Sequence, residues 1–248
     1  MKAGQGQIDS AADAAGVATA LKNGKATVDA VQAQSQNSSD AIVKTAKDAA
    51  NSAIDAAPTK AKATIDALNP LSDKADREAQ VDKDAAAAKQ KIAQDTTTEQ
   101  VTTDQHSGLN AINNDVAAAQ VKSAQEDAVA RLRAYADNAE AAIAKLPDLP
   151  ATDLADAKAK IEAEVDAGNK AITATQTVDD AKSALTAAEK AIDAVSTTAQ
   201  GQSNQVVSGA KQDAKNAIED AAAKPKATIE NLSPLSAAEK QAKEDQVY

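Results

Sequence analysis

Large apolar residues are sparse in this chain and recur at a constant interval. Val43, Ile54 and Ile65 are eleven residues apart, as are Val121, Leu132 and Ile143, and again Val207, Ile218 and Ile229. Alanines such as Ala46, Ala50, Ala57 and Ala61 fill the positions between. Eleven residues are close to three whole helical turns, so each triplet lies along one face of a helix that runs nearly straight. The pattern predicts helices over about 40–68, 98–146 and 205–232. Val81 with Ile92, and Ile161 with Ile172, repeat the interval and predict two shorter helices between them. Val101, Leu109, Ile112 and Val116, and then Val178, Leu185, Ile192 and Val195, supply a further apolar face in each copy. Leu21, Val28 and Val31 share one face of a helix expected over residues 1–33, weakened by Gly4, Gly6, Gly16 and Gly24.

The breaks between helices also repeat. Lys60 to Ser72 reads Lys-Ala-Lys-Ala-Thr-Ile-Asp-Ala-Leu-Asn-Pro-Leu-Ser and returns almost unchanged from Lys224 to Ser236. A weaker copy spans Asn138 to Ala151. Pro70 disfavours helical backbone at Asn69, so each such stretch ends one helix and starts another, with Ser72 the expected cap. Thr96–Thr98 and Thr175–Thr177 are expected breaks, with Thr98 a cap. The polar run Gln34–Asp40 reads as a loop, with Ser39 or Asp40 as cap, and Thr197–Asn204, with Gly201, as a loop or a softened joint. Between Thr98 and Leu146 nothing stronger than Gly108 interrupts the helix. Pro58 and Pro225 fall inside expected helices and read as a kink, or as the first turn of a helix beginning there.

Ile54, Leu132 and Ile218 recur 78 and 86 residues apart, an interval suited to three helices of roughly 22 residues with short connections. One amphipathic helix cannot bury its face alone, whereas three together can. The expected fold is all-α: an elongated rod of tandem three-helix bundles, with spectrin-like helices continuing from one repeat into the next. The expected divisions are residues 1–43, a partial repeat (its last helix) with a linker; 44–120 and 121–200, complete repeats; and 201–248, a partial repeat with its first helix and the start of its second.

Composition narrows the function. Aromatics make up 1% of the chain, with no Phe, Trp or Cys, so only thin cores are available, and there is no thiolate chemistry or disulfide framework. The net charge is −10, with both signs interspersed along the helices; nucleic acid, which needs a positive patch, is not the expected partner. No run is apolar enough to span a membrane, and Met1-Lys2 leads directly into polar sequence without a secretory signal. His106 is the lone histidine, beside Asp104, Gln105 and Ser107, and reads as a surface residue and not a metal ligand. Asp73, Asp76 and Glu78 lack the spacing and glycine of a calcium-binding loop. No phosphate-binding or dinucleotide fingerprint occurs, and thin alanine cores offer no pocket to shift a catalytic carboxylate. The expectation is no enzyme, no catalytic, cofactor-binding or metal residue, and no cofactor. Tyr135 reads as a packing residue near the surface. Tyr248, standing where Asp82 and Glu162 stand in other copies, reads as an added absorbance tag.

Lys47 with its following alanines, the Asn69-Pro70-Leu71-Ser72 corner, Val81 to Ile92, then Val101 with Gly108-Leu109-Asn110-Ala111-Ile112, resemble a repeat of the 1542 family of domains of unknown function. Leu235 to Lys240 is close to its turn. The middle copy departs from the pattern: Asp148 stands for the corner proline, and three extra residues separate Val178 from Ile192. The resemblance implies a tandem array in a cell-wall-anchored surface protein or adhesin of a Gram-positive bacterium, hence an extracellular, cell-surface location. It implies a stalk or spacer that projects a distal binding domain, or alternatively a module that itself mediates cell–cell aggregation or host-matrix attachment. The implied partners are neighbouring repeats, another copy of the chain or a host matrix protein. No catalytic residues come with it.

Overall fold

The computed structural model describes residues 2–247, with side chains from Gly4 onward. Among them the regular structure is entirely helical: α1 (Lys2–Asp9), α2 (Ala14–Asp66), α3 (Lys74–Gln94), α4 (Thr98–Ile143), α5 (Ala151–Thr173), α6 (Val178–Glu230) and α7 (Ala237–Glu244), followed by a 3₁₀ turn (Asp245–Val247). The all-α expectation holds, as does the uninterrupted helix from Thr98. The Tyr248 reading lies outside the described residues.

The chain divides into two compact units, one ending at Ser123 and the other beginning at Ala124. The core of the first gathers Ile54 and Ile65 of α2, Val81 and Ile92 of α3, and Val101 and Ile112 of α4. The core of the second gathers Leu132 and Ile143 of α4, Ile161 and Ile172 of α5, and Leu185 and Ile192 of α6. In both, alanines fill most of the remaining buried positions, so helix backbones approach closely.

Two expected loops are helical. Residues 34–40 lie inside α2, where Gln36 Nε2 donates to Asp40 Oδ1 (2.8 Å) and Ser38 Oγ to the Gln34 carbonyl (2.9 Å). Neither Ser39 nor Asp40 is a cap. Residues 197–204 lie inside α6, with Gln200 Nε2 donating to Asn204 Oδ1 (3.0 Å). Polar side chains spaced four apart bond along the helix surface, and a run containing no proline can stay helical despite its polarity. Conversely, the single helix expected over residues 1–33 is broken: Asp13 adopts extended backbone and accepts from Gly16 N (2.7 Å), capping α2.

The caps differ from expectation by a residue or more. Ser72 is not the cap of α3; Asp73 holds that position and directs its carboxylate to Arg77 Nε (2.9 Å) instead of the helix end. At α4 the cap is Thr97 and not Thr98: its hydroxyl accepts from Gln100 N (3.2 Å), and Gln100 Oε1 accepts back from Thr97 N (3.1 Å). Thr177 caps α6, and Ser236 with Glu239 forms a reciprocal capping box on α7. Pro58 and Pro225 are interior to α2 and α6, so neither opens a helix.

Candidate interaction faces

Where three helices meet most closely, each core uses one glycine, one alanine and one large aliphatic side chain. In the first unit a Cβ built on Gly108 of α4 would lie 2.4 Å from Ala88 Cβ of α3 and 3.1 Å from Ile54 Cδ1 of α2. In the second, a Cβ on Gly168 of α5 would lie 2.6 Å from Leu132 Cδ2 of α4 and 2.7 Å from Ala188 Cβ of α6. Gly108 is therefore a packing residue and not a weak point in its helix. Ile54 and Leu132 are fully buried on these small-residue notches.

The notches fix the register of the two units. Val101, Gly108 and Ile112 follow Ile92 by 9, 16 and 20 residues; Ala181, Ala188 and Ile192 follow Ile172 by the same intervals. The counterpart of Val101 is thus Ala181, which is fully buried, and not Val178. The three extra residues expected in the middle copy do not exist; an alanine in place of a valine concealed the match.

The same register runs a third time through α1 and the first part of α2. Val17, Gly24 and Val28 follow Ile8 by 9, 16 and 20 residues, and Gly4 takes the place of Ala88. Gly4 and Gly24 pack directly, a Cβ on Gly4 falling 3.5 Å from Gly24 Cα. These two glycines, expected to weaken a helix, let α1 and α2 meet. Among the described residues no large side chain rests on the pair. An open groove remains, lined by Gly4, Ile8, Leu21, Gly24 and Val28. Val28 is 53% exposed and Val17 39%.

The last part of α6 shows the converse. Ile218 is the counterpart of Ile54 and Leu132, but it is 61% exposed, against 0% for both of those. Ala222 is buried, whereas Val206 and Leu232 are about two-fifths exposed. Among the described residues there is thus a notch without its aliphatic occupant and an aliphatic residue without a notch.

Polar contacts repeat with the cores. Lys47 Nζ donates to the Ala93 carbonyl beyond the last buried residue of α3 (2.7 Å), and Gln125 Nε2, at the same position of the next copy, donates to the Thr173 carbonyl (3.2 Å). Ser123 and Ser203 are equivalent and buried, and Ser203 Oγ donates to the Pro147 carbonyl at the corner (2.5 Å). Ion pairs cross between helices at Lys62–Asp82 (2.5 Å), Lys89–Asp55 (2.7 Å) and Arg133–Glu162 (2.7 Å).

The remaining sequence candidates are dispersed. His106 is exposed on α4. Asp73 is paired with Arg77, whose hydrogen bond holds the carboxyl below its ordinary range, while the hydrogen bond with Asp66 draws Glu78 above it. Tyr135 is partly buried against the second core, and its hydroxyl donates to Asp193 Oδ1 (2.5 Å), which pushes the phenol up. Asp115 and Asp95 are also raised, by burial first and then by Asp84 and Asp104 respectively. Among the described residues no group of three His, Cys, Asp or Glu could hold a metal, and no helix is long and apolar enough to cross a membrane. Comparisons of the chain with protein-family models, with curated proteins and with solved structures match nothing.

Proposed function

We propose that this chain is a stalk or spacer segment of a bacterial cell-surface adhesin, built as a rod of tandem three-helix bundles of the kind its resemblance to the 1542 family implies. The supporting observation is the shared register. Two units bury the same positions on three helices each, and a third copy of that register is divided between α1–α2 and α6–α7. The repeats are read as residues 44–120 and 121–200, with partial copies before and after. A repeated unit that buries its core locally can be added without redesigning the rest, so length scales with copy number. At 1.5 Å per residue, helices of roughly 22 residues would give about 35 Å of reach per repeat. The role is geometric and extracellular, with no catalytic step.

Small-angle scattering of the dilute monomer tests this reading. The expected result is an elongated particle that shortens by about 35 Å when residues 121–200 are removed. A compact particle, or a deletion that leaves the maximum dimension unchanged, would sink the stalk. The alternative role, direct adhesion, is favoured by one observation only: the uncovered apolar faces of α2 and α6.

A further inference from the structure

Each uncovered face lacks what the other carries. In the two buried cores an aliphatic residue of the first helix sits on a small-residue pair formed by the second and third helices: Ile54 on Ala88 and Gly108, Leu132 on Gly168 and Ala188. Gly4 and Gly24 form such a pair with an open groove beside it, and Ile218 is such a residue with no pair beneath it.

The polar positions match over the length of the same helices. Lys47 and Gln125 lie seven residues before Ile54 and Leu132, and each donates to the carbonyl one residue after Ile92 or Ile172. Seven residues before Ile218 is Lys211, and one residue after Ile8 is Asp9. A lysine would therefore approach both a carbonyl at the end of α1 and the Asp9 carboxylate, with Asp13 just beyond, while Lys25, next to Gly24 in sequence, lines the groove. At the far end Ser203 donates to the carbonyl of Pro147, fifteen residues after Leu132. The equivalent pair is Ser39 of α2 and Ser233, fifteen residues after Ile218.

We propose that the groove between α1 and α2 is an interface for a second copy of this chain, whose α6 lays Ile218 on the Gly4–Gly24 contact, its Lys211 reaching the Asp9 carbonyl and its Ser233 carbonyl receiving Ser39. The result is a third three-helix core assembled from two molecules. The contact joins unlike surfaces: each copy offers one groove and one inserting helix, and the assembly closes or extends according to the rotation between copies. A groove meeting a groove would leave both glycine notches empty, so a like-to-like contact is not the arrangement the registers favour.

Sedimentation velocity over a concentration series tests this with the full chain and two variants, Val28→Asp and Ile218→Asp. Both positions are exposed within their helices, so circular dichroism should be unchanged. The wild type should associate as concentration rises, its mean mass exceeding that of the monomer. Each variant alone should stay monomeric, because one of its two surfaces is blocked. Mixed in equal amounts, the variants should form one-to-one dimers and nothing larger, since the intact α6 of V28D fits the intact groove of I218D. A wild type that stays monomeric throughout, a single variant that still dimerises, or a mixture that stays monomeric would each overturn the proposal. The doubly substituted chain V28D/I218D, unable to associate by this route, remains available for the scattering test of the stalk, so the two ideas fail separately.

Discussion

The two buried cores reach the same packing with small residues exchanged between helices. In the first unit the glycine of the closest crossing is on α4 and the alanine on α3; in the second the glycine is on α5 and the alanine on α6. Either order leaves room for one methyl group and not two. What the fold demands at this crossing is therefore a sum of volumes, with its distribution between helices left free. The electrostatics differ more. Carboxylates face one another in the first unit, where Asp115 and Asp95 carry buried Oδ2 atoms that receive no hydrogen bond. In the second unit Glu140 likewise has a buried Oε1 that receives no hydrogen bond, but there Arg133 links Glu162 and Asp137.

The largest expected effect separates covered from uncovered copies of one position. Ile54→Ala and Leu132→Ala should each cost about 2–5 kcal/mol in denaturant unfolding, as expected of aliphatic truncations in tight cores. Ile218→Ala, measured at dilution, should fall within about 0.5 kcal/mol of wild type, as for a surface residue. A large loss at Ile218 in the monomer would show that its face is already covered.

Next in size is the exchange of small residues. Gly108→Ala should destabilise the first unit by about 1–3 kcal/mol through overpacking, partly offset by the better helix propensity of alanine. Adding Ala88→Gly recreates the arrangement of the second unit and should restore most of the loss. If the double variant is no better than the single, the volume argument fails.

The pH response should distinguish the units more gently. Asp115 and Asp95 have folded values above the ordinary carboxylate range. Their protonation favours the native state, so the stability they contribute is fully present below the unfolded values and is lost as pH rises through the folded ones. Glu162 is held low, chiefly by the Arg133 hydrogen bond; its contribution is present above the ordinary glutamate value and is lost as pH falls through the depressed one. Lowering the pH from neutral through the folded values of Asp115 and Asp95 should raise amide protection in the first unit relative to the second. Asp115→Asn should reduce that gain. The smallest effect should come from Arg133→Gln. That pair is solvent-exposed, so the loss should be slight and should shrink further with added salt.

The helical class, the eleven-residue interval and the corners were legible in the sequence because periodicity and proline act locally. Ile54, Leu132 and Ile218 could be aligned from sequence for the same reason. The caps at Asp73 and Thr97 were missed by a residue because neighbouring threonines, or serine and aspartate, offer similar oxygens. Only backbone angles and side-chain reach choose among them. The uninterrupted courses of α2 and α6 were missed because a polar run reads the same whether it is a loop or an exposed helix face.

What the sequence alone determined, then, was where apolar residues recur and hence which faces must be covered. Tertiary structure decided which faces are covered. Ile54 and Ile218 occupy the same place in nearly identical surroundings of sequence, yet one is buried and the other exposed. The difference lies in whether a small-residue pair from two other helices lies against the side chain. Gly4 and Gly24 make the same point from the other side. In sequence a glycine in a helix is a source of weakness, and its value as a contact appears only when another backbone lies within 4 Å of the missing Cβ.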